Sequence, residues 1–200
     1  MRWLALIVAA ACCTACVKPV VLSAAIEPGR SGADRSSEKA GVVCSSNLLG
    51  HVERAHPSTL AGFATTWEFE LGEPLCNALV KSVESSYRAA QRAAAPHKGQ
   101  YGRVIQFDLQ NSALSIAPHT KRSMRVTYTL TVVVEERFGS DLRQLSRNAV
   151  IGNSLVDCRK VTDRVVKEAV EAALQQVADN ASSLLVARLD GPRVPAAPKR

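Results

Sequence analysis

The side chains that could do chemistry here are four histidines, six cysteines and scattered carboxylates, and their spacing limits what they can build. His51 and His56 lie five residues apart, and His97 and His119 stand far from both. Two imidazoles sharing a metal from one helix need a spacing of four, so all four histidines read as solvated loop residues. Ser154, in Gly152-Asn153-Ser154-Leu155, lacks the second glycine of a nucleophile elbow. No GxGxxG occurs, nor any GxxxxGK followed by Ser or Thr, so the sequence has no phosphate cradle. Glu68 and Glu70 share one face of an alternating segment, where paired acids could act together, but acids so placed ordinarily solvate the outside of a sheet. Glu135 and Glu136 would point to opposite faces. The expectation is a non-enzymatic protein without metal or cofactor.

The amino terminus is more informative. Arg2 is followed by an apolar run of nine, Trp3 to Ala11. As a helix this run would rise only about 14 Å, against a hydrocarbon core of about 30 Å. It therefore reads as the apolar stretch of an export signal and not as a span. Small residues then lead into cysteine, as Cys13-Thr14-Ala15-Cys16. This resembles the lipobox of bacterial lipoproteins, in which a peptidase cuts just before a cysteine that is lipidated. Cys13 departs from the pattern, which usually has Leu there. Cys16 is the favoured site; Ala9-Ala10-Ala11-Cys12 is a rival register with a very short leader. An uncleaved anchor, or a plain secretory signal cut after an Ala, would also export the chain. The resemblance implies a signal peptide over 1–15 and anchoring in the membrane by more than one acyl chain. Val17, and not Asp, follows Cys16, which by the enterobacterial sorting pattern implies the outer membrane of a Gram-negative envelope, facing the periplasm.

Cleavage before Cys16 would leave Cys44, Cys76 and Cys158 as candidate disulfide partners. An oxidising compartment lets three thiols form one bridge and leave one over. All three pairings stay open, because a sequence supplies no Cα distances. The formal net charge is +7, and loss of Arg2 with the leader makes it +6. Such a chain could favour anionic headgroups or lipopolysaccharide phosphates. No dense basic block points to nucleic acid. The nearest basic cluster is His119-Thr120-Lys121-Arg122-Ser123-Met124-Arg125, which makes Lys121, Arg122 and Arg125 the candidate anionic-ligand contacts.

The elements that must carry these residues follow from periodicity. Of 200 residues, 46% are apolar, 22% charged and only 4% aromatic, a foldable chain whose core rests on Val, Leu, Ile and Ala. That balance excludes collagen-like chains, coiled-coil arrays and polytopic membrane proteins. Residues 16–40 have the composition of a flexible tether, with Pro19, Pro28 and a small, polar stretch from Ser31 to Lys39. The segment Phe63 to Leu71 alternates, with Trp67 and Phe69 on one face. Glu73-Pro74 opens a helix in which Leu75, Leu79, Val83 and Tyr87 recur, fading before Pro96. Three strand-like runs follow, Val104–Gln110, Met124–Glu136 and Leu142–Val156, and their short turns favour an antiparallel meander. A long amphipathic helix runs from about Lys160 to Arg188 and stops at Gly191-Pro192. The expected fold is α+β over 41–190, a mostly antiparallel sheet of three to five strands with two helices packed on one face, and a disordered basic tail over 191–200.

This leader, tether and order of elements resemble the LptE-like and YajG-like small envelope lipoproteins over roughly Val42 to Leu189. The quoted likeness is Trp67-Glu68-Phe69-Glu70-Leu71-Gly72-Glu73-Pro74-Leu75, a strand running into a helix, and the helix end Ser182-Ser183-Leu184-Leu185. The resemblance implies an accessory or assembly subunit of an envelope complex, with an outer-membrane protein as partner, and a lipopolysaccharide-contacting loop at Lys121-Arg122. An envelope ligand-binding module for lipopolysaccharide or peptidoglycan, or an auxiliary lipoprotein of an ABC transporter, would fit the same features.

Overall fold

Alternation in the middle of the chain produces three long strands that dominate the architecture. The structure is a computed structural model and describes residues 16–22, 26–29, 35–56 and 65–189. The expected leader with Cys12, and the expected basic tail with its Gly191-Pro192 stop, lie outside the described residues. In chain order the elements are β1 (Cys16–Pro19), β2 (Ser36–Cys44), the single turn α1 (Ser46–Leu49), β3 (Val52–Ala55), β4 (Thr65–Glu70), α2 (Gly72–Glu84), β5 (Tyr87–Arg92), β6 (Arg103–Thr120), β7 (Ser123–Phe138), β8 (Gln144–Cys158) and α3 (Asp163–Leu189).

The α+β class holds, but the sheet is divided and mixed. A five-stranded sheet has the order β5-β2-β6-β7-β8, and a three-stranded one the order β1-β4-β3. Pairs β6–β7 and β7–β8 are antiparallel, as their short turns favoured, and β3–β4 is antiparallel as well. Pairs β2–β5, β2–β6 and β1–β4 are parallel. The expectation of a mostly antiparallel sheet overlooked that β2, which precedes α2, lies between two strands that follow it. A strand inserted from across a helical connection pairs parallel as readily as the connection permits.

Helix α2 is also shorter than its pattern suggested. It ends at Glu84, and Tyr87–Arg92 is strand β5, although Ala, Arg and Gln favour helix. Pairing with β2 and burial of Tyr87, which is 2% exposed, override that preference. One apolar cluster joins Val42, Ile105, Phe107, Val126, Tyr128 and Leu130 of the large sheet to Leu75 and Leu79 of α2 and Val170, Leu174 and Val177 of α3. Both long helices thus cover the same sheet face. The small sheet adds Trp67 and Phe69 to this core, the two aromatics that alternation singled out. Three glycines are needed where backbones meet, Gly139 against the Tyr101 carbonyl among them. A Cβ on Gly72 would lie 1.9 Å from the Leu49 carbonyl oxygen, and one on Gly152 would lie 2.1 Å from that of Ala173, where α3 crosses β8.

Described residues of the expected tether are bound to the body. β1 pairs with β4, with Cys16 opposite Thr65 and Lys18 opposite Trp67. Ile26 is buried in the main core. Beside it, the Gly29 N–H donates to Asp179 Oδ1 at 2.7 Å and Gln175 Nε2 donates to the Glu27 carbonyl at 2.6 Å, both partners on α3. Residues 36–40 begin β2. Polar composition misleads here because main-chain groups, which every residue carries, make most of these attachments.

Cys44, the last residue of β2, is bonded to Cys76 in α2, with a Cα–Cα distance of 6.1 Å and a sequence separation of 32. Of the three open pairings this is the one the fold forms. Cys158 remains a thiol, partly buried at the end of β8, and burial together with the neighbouring Asp157 charge raises its pKa.

Candidate functional site

The described residues contain no group of three His, Cys, Asp or Glu side chains able to hold a metal, and none of their helices is long and apolar enough to cross a membrane. The regions of functional interest are surfaces. Lys121 and Arg122 form the two-residue turn between β6 and β7, where Thr120 pairs with Ser123, and both are exposed. Arg125 lies one step back on β7, opposite Asp157 on β8. Its Nε and Nη2 donate to Asp157 Oδ1 and Oδ2 at 2.8 and 2.9 Å, and His119 Nε2 accepts from Nη2 at 2.9 Å. The guanidinium hydrogen bonds hold the Asp157 carboxyl below its ordinary pKa. The three sequence candidates are therefore neighbours with different standing: Lys121 and Arg122 face solvent, while Arg125 already has an anion.

The fold adds two cations that spacing along the chain did not connect to this cluster. β8 runs back alongside β7 and ends at Cys158, opposite Met124, so the exposed Arg159 and Lys160 follow at the same end as the β6–β7 turn. Asp163, which begins α3, accepts from Lys18 Nζ at 2.6 Å and from Trp67 Nε1 at 2.9 Å. Hydrogen bonds from these two groups, that from Lys18 the stronger, hold its carboxyl low. Among the described residues, both acids at this end are occupied, and Lys121, Arg122, Arg159 and Lys160 remain in excess. At the opposite end of the sheet several arginines have carboxylate partners, while Arg143 lies over the Phe138 ring. Glu136, 9% exposed, receives Arg188 Nη1 at 3.0 Å. Glu135 lies 2.7 Å from Arg137 and 3.3 Å from Arg147, and Arg103 reaches Glu38 at 2.8 Å.

Between these ends part of the sheet face turned away from the helices is uncharged, bordered by Asp108, which accepts from Ser45 Oγ. Ala113 and Ser115 of β6, Thr127, Thr129 and Thr131 of β7, and Ile151 and Leu155 of β8 stand in register across it, with Ile151 45% and Leu155 56% exposed. Strand β8 is the edge of the sheet, but α3 reaches around to it. Gln176 Oε1 accepts the Asn153 N–H at 2.6 Å, and Asn180 Nδ2 donates to the Ile151 carbonyl at 2.8 Å. These side chains occupy main-chain groups that an incoming strand would need.

One group of polar residues is buried and escaped sequence reading. His51 precedes β3, and its Nε2 lies 3.0 Å from Ser112 Oγ on β6 and 3.4 Å from Glu53 Oε2. Ser112 Oγ donates to Glu53 and lies 3.1 Å from the Tyr128 hydroxyl. His51 is thus no solvated loop residue. His56, on Thr66, and the exposed His97 and His119 lie apart from it. Burial opposes ionisation of Glu53, yet hydrogen bonds from His51 and Ser112 overcome it and hold the carboxyl below its ordinary value of 4.5. A carboxylate with a lowered folded-state pKa stabilises the fold above its unfolded value, and that contribution is lost as pH falls through the folded one. Glu53→Gln is expected to cost about 1–3 kcal/mol at neutral pH. It should also flatten the loss of stability below pH 4.5, which urea unfolding across an acid series would measure. The signal in the sequence was His51-Val52-Glu53, two polar residues on one side of a short strand.

Ser154 lies in β8, 8% exposed, and its hydroxyl has no hydrogen-bond partner. Glu68 binds Arg54 at 2.7 Å, and Glu70 is exposed. Two clefts, of about 540 and 480 Å³, border the amino-terminal segment, one at Leu22, Ile26 and Lys81, the other at Pro19, His51 and Glu70.

No family model matches the chain, and no curated protein matches it in sequence. Solved structures match it in fold. Protein XCC0632 from Xanthomonas campestris, of the family DUF330, superposes with a TM-score of 0.59 at 14% identity, covering 87% of this chain and 97% of that one. A candidate lipoprotein from Caulobacter crescentus CB15 gives 0.40 at 10% identity, covering 60% and 84%. A candidate homologue of the neuraminyllactose-binding hemagglutinin from Helicobacter pylori gives 0.40 at 9% identity, covering 82% and 90%. The last two are too distant to bear on function, and the first shows a shared fold: this chain has the fold of the Xanthomonas protein.

Proposed function

We propose that this chain is a non-enzymatic lipoprotein of a bacterial envelope, anchored through Cys16 and serving as an accessory subunit of an outer-membrane protein complex. The observation that carries the reading is the coincidence of a lipobox-type cysteine with the first residue of β1, so that the anchored residue leads straight into the folded body. The buried Cys44–Cys76 disulfide supports an oxidising compartment. The uncharged part of the outer face of β6, β7 and β8 supports a protein-binding role.

Fractionation of cells expressing the tagged chain tests this. The parent should partition with envelope membranes washed at high salt and carry acyl chains on the peptide beginning at Cys16, and Cys16→Ser should be released into the soluble fraction by that wash. Co-purification from detergent should return an outer-membrane barrel in stoichiometric amount. Retention of Cys16→Ser on membranes after the high-salt wash, or an unacylated Cys16 in the parent, would overturn the anchor. Recovery of the bare chain would overturn the accessory role in favour of ligand binding.

A further inference from the structure

Four exposed cations gather at the end of the molecule where the chain joins the body. Lys121 and Arg122 form the β6–β7 turn, and Arg159 and Lys160 follow β8 beside it. Three residues after Lys160, Asp163 is bridged to Lys18, which lies in β1 two residues after Cys16. Val17, between them, is 55% exposed. The acids at this end, Asp157 and Asp163, are neutralised by Arg125 and Lys18 at 2.8 and 2.6 Å.

From this juxtaposition we infer that the Lys121-Arg122 turn and the Arg159-Lys160 segment form a membrane-facing surface that binds anionic phospholipid headgroups. This surface would fix the orientation of the body on the bilayer that holds it. The inference rests on the lipid-anchor reading for its biological setting. Its physical basis is that cations near an anionic surface are attracted within a Debye length. An acyl anchor at Cys16, two residues before Lys18, would set this end of the body beside the bilayer. Because β1 is hydrogen-bonded to β4 and not free, an anchored body would have little room to turn this end away.

The test uses the unacylated full chain, Cys16→Ser, so that its outcome is separate from that of acylation. Co-sedimentation would be measured with vesicles of phosphatidylcholine alone and with roughly one-third phosphatidylglycerol. Binding is expected only with the anionic lipid, falling steeply as salt is raised. Adding Lys121→Ala, Arg122→Ala, Arg159→Ala and Lys160→Ala should weaken it by about tenfold or more. All four side chains are exposed, so circular dichroism should match the parent. Arg147→Ala, at the opposite end, should bind as the parent does. Equal binding to both vesicle types, no binding at low salt, or an unchanged affinity of the fourfold variant would each overturn the inference. Displacement of the protein from anionic vesicles by millimolar inorganic phosphate at constant ionic strength would also overturn it, pointing to a soluble anion instead.

Discussion

Replacing Cys44 and Cys76 together with alanine should lower the unfolding free energy by roughly 3–4 kcal/mol, the chain-entropy cost expected for a closed loop of this size. The bond spans 32 residues and encloses α1, β3 and β4, so it ties the small sheet between its two attachments to the large one. Without it the denatured chain regains the freedom of that loop while the native contacts change little. Both cysteines are buried, Cys76 fully, so serine at these positions should cost more than alanine by leaving hydroxyls without assured partners. Urea unfolding of the double variant, beside the parent with and without reductant, measures the effect. Reduced parent and alanine variant should agree. Cys158→Ser, away from the bond, should move stability by no more than about 0.5 kcal/mol. A loss below about 1 kcal/mol in the double variant would mean that packing alone holds the small sheet in place.

The second large effect is expected at Gly152. Its hypothetical Cβ would lie 2.1 Å from the Ala173 carbonyl oxygen and 2.7 Å from Val177 Cγ2, contacts that no rotamer relieves because the first is main chain. Gly152→Val must therefore lift α3 from β8 or bend the strand. Either movement loosens Leu174, Val177 and Ala178, which are fully buried against the sheet. The cost should be about 3 kcal/mol, the upper end of what overpacking usually extracts. Lifting α3 would also withdraw Gln176 and Asn180 from the β8 edge. The variant should then aggregate at concentrations where the parent remains monodisperse, as light scattering would show. Loss of stability without aggregation would mean that the edge is protected by something besides these two side chains.

Much of the architecture was legible where a regular period governed burial. Met124 to Glu136 alternates, and β7 buries Val126, Tyr128, Leu130, Val132 and Val134 as that alternation requires. The stripe of α3 was equally plain, and Val166, Ala169, Ala173 and Val177 occupy the face it implied or the position beside it. What failed depended on partners distant in sequence. Tyr87–Arg92 has a helix-compatible composition, and only β2, some fifty residues earlier, makes it a strand. The partnership of Cys44 with Cys76 required the seating of α2 on β2, which no local pattern encodes. For the surfaces, Lys121 and Arg122 were visible as a basic turn, but Arg159 and Lys160 joined them only through the hairpin register that returns β8 beside β7. His51, Glu53 and Ser112 were separate polar residues until β3 was laid near β6.

The attachment of the amino-terminal segment to α3 also constrains the order in which the protein can be completed. Gly29 is fastened by Asp179, 150 residues on, and Glu27 by Gln175, 148 residues on. Lys18 waits for Asp163, 145 residues on. Contacts of such separation form late, since the intervening chain must be ordered before the loop they close is worth its entropy. During vectorial synthesis the partners are also among the last residues to emerge. Glu27 and Gly29 are therefore among the last residues to be immobilised, after β1 can already pair with β4. Until then the segment around them stays open to enzymes that act on extended substrates, and completion of the fold closes that period.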